Sequence, residues 1–396
     1  MSNPQDIVIV AGKRTPFGAF CGSLKDLTAT DLGVEAAKAA LASLGADGSV
    51  IDAVFFGNVL QTSQDAIYFA RHIGLRTGGR QEVPALTLNR LCGSGFEAIA
   101  QGANAIKLGE AEVVLVGGGE SMSQAPHVVR GARTGIGFGP GGKFEDTLFT
   151  CLLDTTTGLM MANTAEKLAR THEISRQACD DFALEGQKRY AKALADGIYK
   201  DEIAPVTIQS RKGPVVVDKD EHTRPETTLE GLAKLKPAFE KEGVVTAGNA
   251  SGIVDGAAAL IVTTRKRALA EKWPVLARVV AHAAVGCDPT VMGIGPVPAI
   301  KSALSRAGLK LAQMDAVEVN EAFAPQFLAV AKDLGLDLAK TNIHGGAIAM
   351  GHPLAASGAR IMLHLALHLQ RSGAQYAVGS ACIGGGQGMA IVISRD

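Results

Sequence analysis

Along the chain, short apolar runs bounded by glycine, asparagine or proline alternate with longer stretches whose apolar residues recur three and four positions apart, which predicts buried strands alternating with helices. Ile7 to Val10 is the first strand-like run, Pro84 to Leu88 is extended, and Phe96 to Leu108 and Ala359 to Leu369 are helical patterns that each follow a glycine-bearing turn. Strand-helix alternation of this kind predicts an α/β fold of βα units with a largely parallel sheet, its functional residues gathered at strand ends and helix starts.

The middle of the chain has another texture. Gln124 to Gly142 is rich in glycine and basic residues, Thr164 to Leu194 is amphipathic at helical spacing, and Asn249 to Asp255 reads as a turn. An inserted loop domain is expected there, followed by Asp255 to Thr264 as a returning helix and strand that complete the first half. Near the end, Gly373 to Ser394 carries no charge over a length that calls for a membrane test. Glycines and glutamines interrupt it, so two strands, Tyr376 to Cys382 and Met389 to Ser394, joined by a glycine turn are expected, and no membrane insertion.

The alternation repeats. Ala36 to Gly45 and Ala299 to Gly308 share five of ten residues, 263 positions apart. At the same spacing Asp52-Ala-Val54 falls on Asp315-Ala-Val317, and Leu91 to Gly95 falls on Leu354 to Gly358. A duplication is expected, with the two halves packed about a pseudo-twofold axis so that equivalent turns face one another.

Composition narrows the function. A chain of 396 residues, 47% hydrophobic and 20% charged, suffices for two or three domain-sized units. Lysine plus arginine equals aspartate plus glutamate at 39 each, so no global field favours nucleic acid or an anionic membrane. The segment Met1 to Val10 lacks a basic and an apolar export region, which predicts a cytoplasmic protein. Its six cysteines are scattered without a CxxC pair, which argues against zinc and against a disulfide framework. No metal is expected.

Four constellations carry chemistry. In Asn89 to Gly95, Cys92 stands where an extended run meets a helical pattern; helix-start amides and the dipole would lower its pKa from about 8.5 toward neutrality, as suits a nucleophile. The alternative is an inert buried cysteine. The overlapping string Gly93-Ser-Gly95-Phe-Glu-Ala98 imitates a dinucleotide fingerprint, with Glu112 as its acid, but lies too far into the chain. His352, in Gly351 to Gly358, occupies the repeat position facing Cys92, where an imidazole activates a thiol. In Gly379 to Gly388, Cys382 lies at a strand end beside small residues whose open amides suit an oxyanion. Asn320, in Val319 to Pro325, follows a strand and holds a water or carbonyl, or merely caps the next helix.

Together Asn89 to Gly95, Asn320 to Ala324, Gly351-His-Pro353 and Cys382 to Gly388 resemble the motifs of the thiolase family over essentially the whole chain. The segments Asp220 to Pro225, Gly286 to Pro289 and Met292 to Pro298 look most like the mitochondrial type of 3-ketoacyl-CoA thiolase. The resemblance implies thiolase-like duplicated βα halves in a five-layered αβαβα core: 1–122 with 253–275, a loop domain over 123–252, and 276–396. It implies reversible cleavage of 3-ketoacyl-CoA through an acyl group on Cys92, with His352 as activator and Cys382 as acid and base. His352 with a water on Asn320 would form one oxyanion hole, and the amides of Cys92 and Gly384 the other. Coenzyme A and acyl-CoA enter as substrates, with no permanently bound cofactor, and Arg224, Thr227, Ser251, Met292 and Phe323 are the implied contacts. Gly131 to Gly142 resembles the family's assembly loop, implying a homotetramer built as a dimer of dimers.

The chain departs from the family pattern twice. Ala355 stands where members usually carry glycine, so a methyl group would crowd or strain the histidine turn and lower activity. Met160-Met-Ala162 replaces the His-Met-Gly of biosynthetic thiolases, which weighs against an acetyltransferase dedicated to acetoacetyl-CoA, the alternative function. A ketoacyl synthase would place a second histidine where Cys382 stands. A nicotinamide-dependent oxidoreductase rests only on the fingerprint string, and a CoA-binding scaffold leaves two thiols and a histidine without a task.

Overall fold

A computed structural model describes residues 3–139 and 141–395, so Met1, Ser2, Asp396 and Pro140 of the expected assembly loop lie outside the described residues. Nine strands form the main sheet: β1 (Ile7–Arg14), β2 (Ala53–Gly57), β3 (Ala85–Leu88), β4 (Val113–Glu120), β5 (Val254–Thr264), β6 (Ala277–Gly286), β7 (Ala316–Val319), β8 (Tyr376–Ile383) and β9 (Gln387–Ser394). Their spatial order is β7-β8-β9-β6-β1-β5-β4-β2-β3, and a two-residue strand, Gly18–Ala19, adds to β5. Each half contributes one side, and the sides meet where β1 pairs with β6 at Val8–Arg278 and Ile9–Ala277.

Among the described residues the α-helices of eight or more residues are α1 (Ala29–Ala42), α2 (Phe69–Arg76), α3 (Ser94–Lys107), α4 (Met161–Thr171), α5 (Arg176–Ala195), α6 (Pro296–Ala307), α7 (Ala324–Leu334) and α8 (Leu354–Ser372). The apolar faces of α3 and α8 share one buried cluster with strands of both halves. A second cluster seats α1 and α2 on the outer face of the first half, and a third seats α6 and α7 on the second. Helices outside, two half-sheets and a helix pair between them make the five layers αβαβα. Full burial of an Ile or Leu such as Ile99 or Leu363 in the middle layer contributes roughly 1.5–3 kcal/mol.

The duplication is visible bond by bond. Asp52 Oδ2 accepts the N–H groups of Glu112 (3.1 Å) and Val113 (2.9 Å), and Asp315 Oδ2 accepts those of Gln375 (2.8 Å) and Tyr376 (3.0 Å), each partner 263 positions on.

Two expectations need correction. The sheet is mixed, because only the β2–β3, β2–β4 and β7–β8 pairs are parallel; β5 and β9 return directly along their neighbours and pair antiparallel. Val254–Thr264 contains no helix and is one eleven-residue strand. All of it but Thr264 is buried, so its apolar residues run without the alternation that separates a strand from a buried helix. Gly373 to Ser394 does form the expected pair of strands, and among the described residues no helix is long and apolar enough to cross a membrane.

Candidate active site

The turn between β3 and α3 presents Cys92 through a strained backbone. Leu91 has φ 47°, a left-handed conformation that costs a non-glycine residue roughly 1–3 kcal/mol. Local bonds hold it: Asn89 Oδ1 accepts the Leu91 N–H at 2.8 Å, and Ser94 Oγ accepts from the Arg90 N–H at 2.9 Å while donating to the Leu91 carbonyl at 2.7 Å. Arg90 then reaches across the repeat, donating to Glu97 at 2.7 Å and to Gln387 Oε1 at 3.1 Å, which ties this turn to the start of β9.

That tie sets Cys92 against the turn between β8 and β9. Its own amide and the amide of Gly384 hydrogen-bond toward its sulfur and pull its pKa down, but burial outweighs them and pushes the thiol up to about 11. The expected fall toward neutrality therefore does not occur, because helix-start amides do not repay the desolvation of a thiolate in a closed site. Cys382 lies one residue before the end of β8, opposite Gly388 and with no solvent exposure. Burial first, then the sulfur of Cys92, raises its pKa well above the usual thiol range.

His352 enters from the opposite half. Its N–H donates to the Gly252 carbonyl at 2.9 Å, its Nδ1 lies 2.5 Å from Ser357 Oγ on the first turn of α8, and its Nε2 lies 3.4 Å from Asn320 Nδ2. Burial, with the nearby charge of Arg360 second, lowers its pKa to about 3, so the imidazole is neutral at ordinary pH. With Asn320 donating through Nδ2, Nε2 is the acceptor and Nδ1–H donates to Ser357.

Asn320 follows β7, its N–H bonded to the Ser380 carbonyl at 2.9 Å. The alternative of a helix cap is removed, since α7 is capped at Phe323. Its Oδ1 is buried and has no hydrogen-bond partner among the described residues. Such an acceptor costs about 1–3 kcal/mol unless a water or a substrate donor satisfies it.

Three implied substrate contacts converge beside Cys382. The Ser251 N–H donates to the Ala322 carbonyl at 3.0 Å and Ala250 bridges Phe323, which lays 249–251 along the Asn320 segment. Met292, Ala322 and Cys382 form an apolar cluster completed by Phe323 and Met161. Arg224 and Thr227 are not brought there. They lie on a turn whose chain binds itself: Arg224 is exposed and Nη1 donates to the carbonyls of Glu221, His222 and Thr223, while Thr227 Oγ1 donates to the Arg224 carbonyl at 2.7 Å. This turn reaches the centre through the His222 ring, which fills the space beside Gly252.

Sequence reasoning missed Glu120, Ser357 and Met161. Ser357 sits five residues from His352, one helical turn beyond the proline, a spacing that would have found it; Glu120 and Met161 meet the site only through distant parts of the chain. The fingerprint string is structural, because Gly95 closes on the backbone of Ala359 and Glu112 pairs with Arg267 at 3.4 Å on the surface. Ala355 does not strain its turn: it lies in the first turn of α8, outside the positive-φ residues, with its N–H bonded to Glu120 at 3.1 Å.

Residues 7–266 match the family described as Thiolase, N-terminal domain, and residues 273–395 match Thiolase, C-terminal domain. The chain is 56% identical to the 3-ketoacyl-CoA thiolase, mitochondrial, of Homo sapiens over 98% of each chain, and 44% identical to the acetyl-CoA acetyltransferase of Escherichia coli over 99% of each. It superposes on the crystal structure of human mitochondrial 3-ketoacyl-CoA thiolase with TM-score 0.97 at 55% identity, covering 100% of both, and on its complex with CoA with TM-score 0.96. These comparisons overturn the cytoplasmic expectation. Relatives at 55–56% identity over nearly the full chain are named as mitochondrial, and an N-terminus without export features does not distinguish the two compartments.

Proposed function

Because the chain belongs to the thiolase family, we propose that it makes and breaks the carbon–carbon bond of 3-ketoacyl-CoA through an acyl group carried on Cys92. The observation that carries this reading is the meeting of two thiols, half-buried Cys92 and buried Cys382, with a neutral imidazole in a site assembled from both halves of the duplication.

Each proton has a place to go. In the synthetic direction His352 Nε2 takes the proton of Cys92 as its sulfur attacks the thioester carbonyl of acetyl-CoA, and the amides of Cys92 and Gly384 receive the oxyanion. The departing CoA sulfur takes the proton of Cys382, leaving acyl-Cys92, an imidazolium and a Cys382 thiolate. That thiolate removes an α-proton from the second acyl-CoA; the enolate oxygen accepts from His352 Nε2–H and from a water on Asn320. The carbanion attacks acyl-Cys92, and the released sulfur recovers its proton from His352. A raised Cys382 pKa suits this order, since a more basic thiolate is the better α-proton acceptor. Cleavage runs the same steps backwards, with the thiol of free CoA releasing the acyl group.

Met161, Met292 and Phe323 make the substrate side apolar, which supports 3-ketoacyl-CoA of several lengths over a site dedicated to acetoacetyl-CoA. Arg224 and Thr227, on their exposed turn, serve the distal part of CoA, and Ser251, Met292 and Phe323 the part next to the thioester. The partition into 1–122 with 253–275, 123–252 and 276–396 assigns CoA recognition to the middle unit. A dimer-of-dimers is supported by the uncovered edge of β3, where Leu86, Ile67 and Tyr68 are exposed, and by exposed Ile136 and Phe138 in the assembly loop.

The test is thiolysis of 3-ketoacyl-CoAs of four to sixteen carbons with CoA, following loss of the enolate absorbance. Cleavage across several lengths is expected; turnover of acetoacetyl-CoA alone would transfer the enzyme to the acetyltransferase class, and no turnover would overturn the proposal.

A further inference from the structure

Glu120 ends β4 with no exposure, and its carboxylate is filled from two directions. Oε1 accepts the Leu60 N–H at 2.9 Å and Asn58 Nδ2 at 3.1 Å, and the Val59 N–H lies 3.2–3.3 Å from both oxygens. Oε2 accepts the Ala355 N–H at 3.1 Å. One side of this hub is the segment 58–60, whose Val59 and Leu60 share an apolar cluster with Cys92, Met122, Leu148 and Leu354. The other is the first turn of α8, three residues after His352 and two before the Ser357 that holds its Nδ1.

We propose that Glu120 is a positioning residue, fixing the wall behind Cys92 and the helix start behind His352 in one relation, so that the thiol and Nε2 stay aligned. The physical need is clear in α8. Its cap position is Pro353, which has no side chain able to accept an amide, so the opening turn of a nineteen-residue helix has no local cap. A carboxylate from β4 supplies the acceptor and the negative charge that a helix start favours. When ionised, the Glu120 carboxylate serves both sides at once, because it is then acceptor-only on both oxygens. Glutamine would turn two N–H donors toward backbone N–H groups, and aspartate is one methylene too short. This role rests on the assignment of Cys92 and His352 as the reacting pair.

Full-length E120Q, E120D and N58A are compared with the wild type in three measurements: thiolysis kinetics, thermal midpoint, and the rate at which iodoacetamide alkylates Cys92 without substrate. In folded E120Q, kcat falls about 100-fold, as misplacement by an ångström does. KM changes less than about twofold, and alkylation slows in the same proportion as kcat. E120D recovers neither. N58A, which leaves the carboxylate on Ala355, shows a smaller loss of kcat at unchanged KM. E120Q that is folded with wild-type kcat, or that loses kcat only in proportion to its unfolded fraction, overturns the proposal. If E120Q does not fold, N58A decides: wild-type kcat and alkylation overturn the proposal, and a selective kcat loss supports it. Alkylation needs no turnover, so a wild type that lacks thiolysis would fail the functional reading without touching this one.

Discussion

Gly95 on α3 and Gly358 on α8 close on each other reciprocally: a Cβ on Gly95 would collide with the amide nitrogen of Ala359, and one on Gly358 with the amide nitrogen of Phe96. Gly95 and Gly358 are 263 positions apart, as are Phe96 and Ala359, so the two contacts exchange under the pseudo-twofold relation of the halves. This close approach lets the starts of α3 and α8, and with them Cys92 and His352, share one centre.

Gly95→Ala and Gly358→Ala are therefore expected to destabilise by about 1–3 kcal/mol or more each, since backbone atoms cannot yield as a side chain would. The thermal midpoint falls by several degrees and thiolysis falls with it. A midpoint and kcat unchanged within error would show that the helices do not need this approach.

Asn320→Ala removes an oxyanion contact while deleting a buried oxygen that has no protein partner. The expected result is a kcat lowered about 10²- to 10³-fold with little change in thermal midpoint. Activity within threefold of wild type would dismiss Asn320 as the holder of the water.

Burial pushes the Glu120 carboxyl up to about 7 from its ordinary 4.5, opposed by the amides of Leu60, Ala355 and Val59 and reinforced by the charge of Asp255. The folded state thus holds its proton more tightly than the unfolded chain. The stability tied to that proton is fully present below about pH 4.5 and is lost as pH rises through about 7, a difference of about 3 kcal/mol. Asp255, raised by burial in the same direction, adds to it, while Cys92 and Cys151 stay protonated throughout. The buried, neutral His344 and His352 act in the opposite sense in both proteins, so from pH 5.5 to 8 the urea midpoint should fall further, or rise less, in wild type than in E120Q. Equal differences would contradict the shift.

The middle segment is fastened to the core by Arg14. Its guanidinium donates to Asp220 at 2.7 and 2.9 Å and to Glu202 at 2.8 Å, all fully buried, and Tyr190 donates to Asp220 at 2.8 Å. Removing one partner strands the others, so Asp220→Ala is expected to cost about 3–5 kcal/mol and to expose residues near 190–222 to limited proteolysis. Wild-type resistance to protease would show that the segment is held elsewhere.

Much of this centre was legible in the chain. The repeat placed Cys92 and His352 in equivalent turns, and the glycines around Cys382 marked the turn whose Gly384 amide meets Cys92. Other features were not legible for physical reasons. Val254–Thr264 is pressed on both faces, so its pattern carried no period to separate strand from helix. The pKa of Cys92 depends on how completely the second half buries it, which a local turn does not reveal. Glu120 is a single acid at a strand end, and its partners at 58–60 and 355 are neighbours only in the fold.

The central claim, an acyl group carried on Cys92 and a separate proton carrier at Cys382, is tested most directly by mass spectrometry of the Cys382→Ser enzyme after incubation with acetyl-CoA. The account predicts an acetyl adduct on the peptide containing Cys92, with no carbon–carbon bond formation and no adduct in Cys92→Ala. An adduct on another residue, or none on Cys92 in an enzyme that still turns over, would contradict it.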